Sequence, residues 1–276
     1  MRLGNRDRGN VEDRRGLGGA GLRLGVGGTL VLVVLSVLFG RDLLSEVGGG
    51  TALVGPEQAS PEQVDRRKSS EAELEEVAVT SFNDAQEVWS RALGRSWRPA
   101  KLVLFWDGTR SGCGDASSAM GPFYCPLDEK VYMDLGFYRE LARRFGAPGE
   151  FAQAYVVAHE VGHHVQHVLG IAARVRAAQE RDPAARNPLS VRMELQADCL
   201  AGAWARTVGD RGQLDPGDIE AGLGAAAAVG DDRIQRAATG RVQPEAFTHG
   251  SSAERARWFR TGYERPSLEA CDTFAD

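Results

Sequence analysis

Hydrophobic side chains recur with helical spacing over most of the chain after residue 74. Between Leu74 and Leu93 they return every three or four positions, the spacing that buries one face of a helix. The same pattern, with turn residues at the ends, predicts further helices towards the C-terminus. These helices are expected at Phe137–Phe145, Glu150–Leu169, Val191–Val208, Asp218–Val229 and Ser252–Tyr263.

Two short apolar runs have the composition of strands. Lys101–Trp106 stops at Asp107 and Gly108, and Lys130–Leu135 follows a loop rich in glycine and proline. Such bounded runs of branched and aromatic side chains favour strands. We therefore expect one α+β domain at residues 74–276, mainly helical with a small antiparallel sheet.

An uncharged apolar run precedes this domain. Residues 24–40 carry no charge and follow an arginine- and glycine-rich segment, residues 1–23. A run of this length can cross a bilayer, and the positive flank orients the N-terminus towards the cytoplasm. Residues 41–73 lack apolar periodicity, which is typical of a linker. The sequence predicts a cytoplasmic tail, a single-pass signal anchor in the cell membrane, a linker and an extracytoplasmic domain.

Two other interpretations of residues 24–40 stay open. A cleaved signal peptide needs a site with small residues, and the sequence after the run offers no clear Ala-x-Ala. A buried core helix would not be expected directly after a polar, glycine-rich tail.

Composition excludes some classes of protein. The hydrophobic fraction of 42% is enough to build a core, so disorder throughout is excluded. The net charge of −5 at pH 7 argues against a nucleic-acid partner, since phosphate binding requires a surplus of cations.

Histidines cluster in one predicted helix. Of the 5 histidines in the chain, His159, His163, His164 and His167 lie there. His159 and His163 are four positions apart and share a face, and Glu160 follows the first of them. This is the H-E-x-x-H pattern, in which two histidines bind zinc and the glutamate is the general base. A polar surface patch is the alternative, but the surrounding helix is apolar and burying these groups without a ligand is costly.

A catalytic zinc needs a third protein ligand and one open position. His167 lies about 12 Å along the helix from His159, too far to share a cation with it. Glu194 and Asp198 lie four apart on a later, largely apolar helix. We expect Glu194 to complete the site, and Asp198 to accept the free N–H of a ligand imidazole, that of His159. A solvated charged face is the alternative for this pair.

Longer motifs resemble one bacterial family, the neutral zinc metallopeptidases. The matching segments span roughly residues 75–276 and are SGCG, GPFYCP, VYMDL, HEVGHHVQ, ELQADCLAG, DDRIQ, THGSS and CDTF. The resemblance implies a zincin-like fold with one Zn²⁺ per chain, held by His159, His163 and Glu194, with Glu160 catalytic. Members of this family are typically tethered or exported, which suits the predicted anchor.

The expected reaction is hydrolysis of peptide bonds in a peptide or protein substrate. Glu160 would activate a zinc-bound water and pass the proton to the departing amine. His249, outside the metal helix, is the first candidate for the donor to the oxyanion, and a structural loop histidine is the alternative. Tyr155 and Tyr263 are weaker candidates. Lys130–Leu135 is a candidate strand for pairing with an extended peptide.

The remaining histidines and the cysteines are expected to have structural roles. We interpret His164 and His167 as packing or hydrogen-bonding residues rather than a second metal site. The 4 cysteines allow three disulfide connectivities. Our hypothesis is the local pairing, Cys113 with Cys125 and Cys199 with Cys271.

Two functions of other classes compete with a membrane-anchored peptidase. One is a non-catalytic zinc-binding scaffold at the cell envelope, for which a base such as Glu160 would be unnecessary. The other is an anchored peptide-binding domain without metal. This interpretation requires the spacing of the candidate ligands to be accidental.

Overall fold

The structure, a computed structural model, describes residues 1–16 and 60–275. Helices dominate this part of the chain, as predicted. They are α1 (Pro61–Ser70), α2 (Ala72–Leu93), α3 (Gly136–Arg143), α4 (Glu150–Val168), α5 (Ile171–Arg181), α6 (Arg186–Asp210), α7 (Asp218–Ala228), α8 (Asp231–Thr239) and α9 (Ser252–Glu264). The strands are β1 (Val11–Asp13), β2 (Lys101–Leu104), β3 (Gly108–Ser111), β4 (Gly114–Ser117), β5 (Phe123–Cys125) and β6 (Lys130–Met133).

Four strands form a mixed sheet in the order β1–β2–β6–β5. β2 is parallel to both β1 and β6, and β5 is antiparallel to β6. The chain between β2 and β6 includes the antiparallel hairpin β3–β4 and is long enough for a parallel crossover. The α+β class is therefore confirmed, but the main sheet is mixed rather than antiparallel.

Strand β6 lies inside the sheet and not at its edge. Both of its sides are hydrogen-bonded, one to β2 and the other to β5. An extended peptide can add only to an unpaired edge, so the predicted docking of a peptide on Lys130–Leu135 is wrong. Among the described strands, β1 and β5 lie at the edges of this sheet.

Helix α4 runs through the core. It packs against α2, α6 and α7, and such a helix needs apolar side chains on nearly all faces. Phe151, Tyr155, Val157, Val161 and Val165 are all buried. This surrounding explains why the helix is so apolar, and it means that any polar side chain on α4 must find a partner.

The backbones of α6 and α9 are in direct contact. A Cβ atom added to Gly262 on α9 would lie 1.8 Å from the carbonyl oxygen of Cys199 on α6. A side chain there would push the two helices apart, so the glycine is required for this approach. The contact brings Arg255, two turns earlier on α9, to the buried Asp198.

The N-terminal segment belongs to the same folded body as the helices. β1 pairs with β2, and the side-chain amide of Asn83 on α2 donates to the carbonyl oxygens of Asn5 and Asp7. Arg15 is buried and pairs with Asp13. The structure therefore places residues 1–16 in the folded body, where the sequence predicted a tail separate from the domain at residues 74–276. A strand of three residues with a single apolar side chain, Val11, carries no apolar periodicity that a sequence analysis could detect.

Part of the predicted linker is helical. α1 begins after Ser60, which forms a reciprocal capping box with Gln63, and none of its residues is buried. An unburied helix has no apolar face, which is why residues 60–73 resembled a linker. The predicted anchor at residues 24–40 lies outside the described residues. Among residues 1–16 and 60–275, no helix has the length and apolar character needed to cross a membrane.

Candidate metal centre

Two helices bring the predicted ligands together. His159 and His163 lie one turn apart on α4, and Glu194 faces them from α6. His159 Nε2 is 3.2 Å from Glu194 Oε2, and His163 Nε2 is 3.4 Å from Glu194 Oε1. One donor atom from each of the three residues lies within 4.8 Å of the others. The described part of the chain contains no other such group of acidic, histidine or cysteine side chains.

Small residues allow α4 and α6 to approach closely at this point. A Cβ atom on Gly162 would be 3.1 Å from the carbonyl oxygen of Ala197, tighter than most contacts of this kind. Gly162 precedes the candidate ligand His163, and Ala197 follows Glu194 by three positions. The close approach therefore occurs at the level of the candidate ligands.

The second nitrogen of His159 is held by a buried carboxylate. His159 Nδ1 is 2.9 Å from Asp198 Oδ1, and the Asp198 side chain is fully buried. Tyr155 donates its hydroxyl to the same oxygen at 2.5 Å. Arg255 donates to both oxygens of Asp198, at 2.8 and 3.0 Å. Asp198 thus contacts the imidazole of the candidate ligand His159 through Nδ1, the nitrogen that faces away from Glu194.

The second nitrogen of His163 is held by an amide. Its Nδ1 lies 2.8 Å from Gln166 Oε1. The amide nitrogen of Gln166 donates to the carbonyl oxygen of Met193 at 2.7 Å, so its oxygen faces the imidazole. A histidine that donates through Nδ1 presents the lone pair of Nε2. Both imidazoles therefore offer Nε2 towards Glu194.

This donor set fits a zinc ion. Two imidazole nitrogens and one carboxylate oxygen are the protein ligands of many catalytic zinc sites, which leave one position open. The hydrogen bonds at both Nδ1 atoms fix the rings in the tautomer that a metal requires. His159, His163 and Glu194 could therefore hold a divalent cation without rearranging the two helices.

Burial and charge act in opposite directions on the ionisable groups. Burial lowers the pKa of His159, but the carboxylates of Asp198 and Glu194 raise it to about 10. Burial raises the pKa of Glu194, but His163 and His159 lower it well below its usual range. The pKa of Glu160 is raised, mainly because its carboxyl group is buried. The raised pKa favours the protonated form of Glu160 more than in a free glutamate, which suits a group that accepts and returns a proton.

His249 faces the same centre from the segment before α9. It contributes to lowering the pKa of Glu194. Its Nδ1 lies 3.2 Å from Asp231 Oδ1, and the other oxygen of Asp231 accepts from the backbone N–H groups of residues 248, 249 and 250. The His249 side chain remains 51% exposed. Asp231 therefore fixes the loop through its backbone and the ring through Nδ1.

The tyrosines predicted as alternative donors do not serve this role. Tyr155 is buried and uses its hydroxyl on Asp198, behind the ligands. Tyr263 packs near Gly209, fifteen residues along α6 from Glu194, which is about 22 Å. Neither tyrosine is placed to reach a substrate at the centre.

His164 and His167 have structural partners, as interpreted from the sequence. His164 Nε2 lies 2.6 Å from the carbonyl oxygen of Arg98, and its Nδ1 lies 2.9 Å from the hydroxyl of Tyr124. His167 Nε2 lies 3.2 Å from Glu129 Oε1. With both of its nitrogens engaged, His164 has no lone pair left for a cation.

The structure joins the cysteines in the local pairing of our hypothesis. Cys113 is bonded to Cys125, and Cys199 is bonded to Cys271. The second disulfide attaches the C-terminal segment to α6 immediately after Asp198. No free cysteine is found among the described residues.

Sequence reasoning missed three polar residues around the centre: Arg255, Asp231 and Gln166. Gln166 was detectable, because it lies three positions after His163 on the same helix, within reach of its ring. Asp231 lies in the DDRIQ motif, which signalled family resemblance but no role. Arg255 lies on an arginine-rich helix, and nothing in its local sequence distinguishes it from its exposed neighbours.

Comparison with other proteins finds relatives in Escherichia coli and Mycobacterium tuberculosis. "Uncharacterized protein YpfJ" of Escherichia coli (strain K12) is 43% identical over 282 residues, covering 98% of this chain and 97% of the relative. "Uncharacterized protein Rv2575" of Mycobacterium tuberculosis is 46% identical over 208 residues, covering 71% of this chain and 69% of the relative. No solved structure matches the chain significantly.

The family match extends over the folded body. The family model described as "Putative neutral zinc metallopeptidase" matches residues 1–274. It includes β1 as well as the segment that carries the candidate histidine and glutamate ligands, so the match is longer than the resemblance at residues 75–276. Together with the cluster of His159, His163 and Glu194, this match identifies the chain as a member of the putative neutral zinc metallopeptidase family.

Proposed function

We propose that this protein is a zinc-dependent peptidase that hydrolyses peptide bonds, with Glu160 as the general base. The observation that carries the proposal is the convergence of His159, His163 and Glu194 within 4.8 Å. Glu160 follows the first of these ligands on the same helix. The membership of a zinc metallopeptidase family supports the same chemistry at a coarser level.

Each residue of the centre has a distinct task in this proposal. His159, His163 and Glu194 would hold the zinc, which supplies Lewis acidity and makes water more acidic. Glu160 accepts a proton at its carboxylate from the attacking water and delivers it to the amine that leaves. Its raised pKa brings the carboxyl group closer to the neutral range, where both transfers are efficient.

His249 is the proposed donor to the substrate carbonyl oxygen as it becomes negative. Its Nδ1 is held by Asp231, which leaves Nε2 as the ring nitrogen that would donate to a substrate. A donor held before the reaction stabilises the developing charge more than a mobile one does. Asp231 is a positioning residue in this account.

A scaffold that uses zinc only for stability is the competing function. Structural zinc sites are usually filled by four protein ligands, most often cysteines and histidines. The group of His159, His163 and Glu194 contains three. Three candidate ligands, with the buried carboxylate of Glu160 on the same helix as His159 and His163, favour the hydrolase.

Association with a membrane is a separate part of the proposal. It is supported by the uncharged run at residues 24–40. A single crossing would carry residues 1–16 away from the rest of the chain, so it would require β1 to leave β2. Extraction of cell membranes with alkaline carbonate tests the association, because an inserted segment stays in the pellet and a peripheral one is released.

The peptidase proposal is tested by mapping cleavage in a denatured proteome. The full chain is incubated with the proteome, and new peptide termini are read by mass spectrometry, with and without a chelator. We expect new termini that disappear with the chelator and with Glu160→Gln, while Glu160→Gln retains about one zinc per chain. Equal cleavage by parent and Glu160→Gln would exclude the proposed base, and a protein that binds zinc but yields no new termini would favour the scaffold.

A further inference from the structure

A chain of side-chain amides connects a candidate zinc ligand to the C-terminal segment. His163 Nδ1 lies 2.8 Å from Gln166 Oε1, and Gln166 Nε2 donates to Gln196 Oε1 at 3.0 Å. Gln196 Nε2 then donates to the carbonyl oxygen of Cys271 at 2.9 Å. We call Gln166 and Gln196 the amide relay. It spans α4, α6 and the residues after α9.

Burial gives the amide relay a single arrangement. Gln166 is fully buried and Gln196 is 4% exposed, so a lost hydrogen bond cannot be replaced by bulk water. Each amide uses its oxygen on one side and its nitrogen on the other. Turning either amide over would place donor against donor or acceptor against acceptor. The orientation of the His163 ring is thus coupled to the position of the Cys271 carbonyl group.

The position of Cys271 depends on its disulfide with Cys199. Helix α9 is held against α6 by its own close backbone contact at Gly262, so the bond is not needed to dock that helix. The segment after α9 is also tied to α6 by the hydroxyl of Thr273, which donates to the carbonyl oxygen of Arg192 at 2.7 Å. The disulfide therefore acts on the short segment that ends the relay.

We propose that the Cys199–Cys271 disulfide is a positioning device for the metal centre, which acts through the amide relay on the ligand His163. With the bond intact, the Cys271 carbonyl group is fixed and the relay holds Nε2 of His163 towards Glu194. Without it, the C-terminal segment moves, Gln196 loses its acceptor, and the ring of His163 samples other orientations. This inference rests on the proposed zinc site, and it makes zinc affinity depend on the oxidation state of one disulfide.

The second disulfide provides a matched control. Cys113 and Cys125 link the tip of the β3–β4 hairpin to β5, and none of their described hydrogen bonds reaches a candidate ligand. Removing either disulfide deletes one crosslink from the chain. Only the removal of Cys199–Cys271 should disturb the relay.

The test compares zinc affinity of the full chain in two double variants, C199A/C271A and C113A/C125A. Affinity is measured by competition with a chromophoric chelator, and the ligand geometry by the visible absorption of the Co²⁺-substituted protein. Loss of a group that orients a ligand typically weakens metal binding by 10–100-fold. We expect C199A/C271A to bind zinc about tenfold more weakly, with an altered Co²⁺ spectrum, and C113A/C125A to match the parent in both readouts.

A Gln196→Leu variant shows whether the disulfide acts through the relay. It should weaken zinc binding by itself, and removing Cys199–Cys271 in that background should add little, because the connection is already broken. Three outcomes would overturn the inference. They are additive losses of zinc affinity in the combined variant, an equal loss in C113A/C125A, and parental affinity in C199A/C271A. If C199A/C271A does not fold, Gln196→Leu with its disulfide intact tests the relay alone. Parental zinc affinity in that variant would overturn the inference.

His163→Ala separates this inference from the proposed metal site. If the site is correct, His163→Ala loses zinc whatever the relay does. If His163→Ala and the parent bind zinc equally, the assignment of the metal site is wrong, and the ring that the relay orients is not a ligand.

Discussion

Arg255 donates two hydrogen bonds to the carboxylate of Asp198, through Nε at 2.8 Å and Nη2 at 3.0 Å. Both side chains are buried. Asp198 in turn contacts the imidazole of His159, so the arginine is connected to a candidate zinc ligand through one carboxylate. A buried carboxylate of this kind needs a compensating cation, and the guanidinium group supplies it in a fixed geometry.

Replacing Arg255 with methionine should destabilise both the fold and the metal site. The change leaves Asp198 buried without its cation, which typically costs about 3–5 kcal/mol in the free energy of unfolding. Zinc affinity should fall by about 10-fold or more, because Asp198 no longer fixes the His159 ring. Urea unfolding of the zinc-free protein and chelator competition measure the two effects.

Arg257 is the matched control, because it lies exposed on the same helix. Arg257→Met should change the free energy of unfolding by less than about 0.5 kcal/mol and leave zinc binding intact. Equal behaviour of the two variants would contradict the role assigned to Arg255.

Replacing His249 with alanine should slow peptide hydrolysis without releasing zinc. Loss of one donor to an oxyanion typically lowers kcat by about 10²–10³-fold, while the ligands on α4 and α6 are untouched. Steady-state kinetics on a peptide identified in the proteome experiment, together with metal analysis, check this. His167→Ala is the control, because His167 pairs with Glu129 and should retain parental kcat. If kcat is unchanged in His249→Ala, His249 has only a structural role in its loop and is not the donor.

Removing zinc should lower the melting temperature of the protein. A ligand present at 1,000 times its Kd stabilises the folded state by about 4 kcal/mol, which for a chain of this size is a shift of roughly 8–16 °C. Glu194→Gln exchanges a charged ligand for a neutral one, so the shift caused by the chelator should shrink. Glu180→Gln, at an exposed site on α5, should keep the full shift. Calorimetry with and without chelator distinguishes these cases.

Acid should weaken the attachment of the N-terminal strand. Burial raises the pKa of Glu12, but Lys130, Arg14 and Lys101 outweigh it and lower the pKa from 4.5 to about 2. A carboxyl group with a lowered pKa in the folded state stabilises the fold above its unfolded pKa, and this contribution disappears as pH falls from about 4.5 towards 2. The parent should therefore lose stability over that range.

Glu12→Gln removes the titrating group and should flatten this dependence. The free energy of unfolding of the parent should fall by of order 1 kcal/mol more than that of Glu12→Gln between pH 5 and pH 2.5. Urea unfolding at the two pH values measures the difference. Glu180→Gln should follow the parent, and an identical pH dependence in all three proteins would argue against the role of Glu12.

Most helices of the core could be predicted from the sequence, because their apolar faces repeat with the helical period. The predicted helix at Leu74–Leu93 corresponds to Ala72–Leu93, and the predicted Glu150–Leu169 to Glu150–Val168. Ile171–Arg181 and Asp231–Thr239 were missed. Each has a single buried residue, so neither carries the apolar face on which such a prediction depends.

The sequence by itself determined the candidate ligands, because two side chains four positions apart on a helix must share a face whatever surrounds them. This covers the spacing of His159 and His163, and likewise that of Glu194 and Asp198. The tertiary structure decided what holds these residues in place. Arg255 lies 57 positions from Asp198, and β1 pairs with a strand from a distant part of the chain. Such contacts arise only when whole helices and strands pack, and no local pattern of side chains specifies which distant polar groups will then meet.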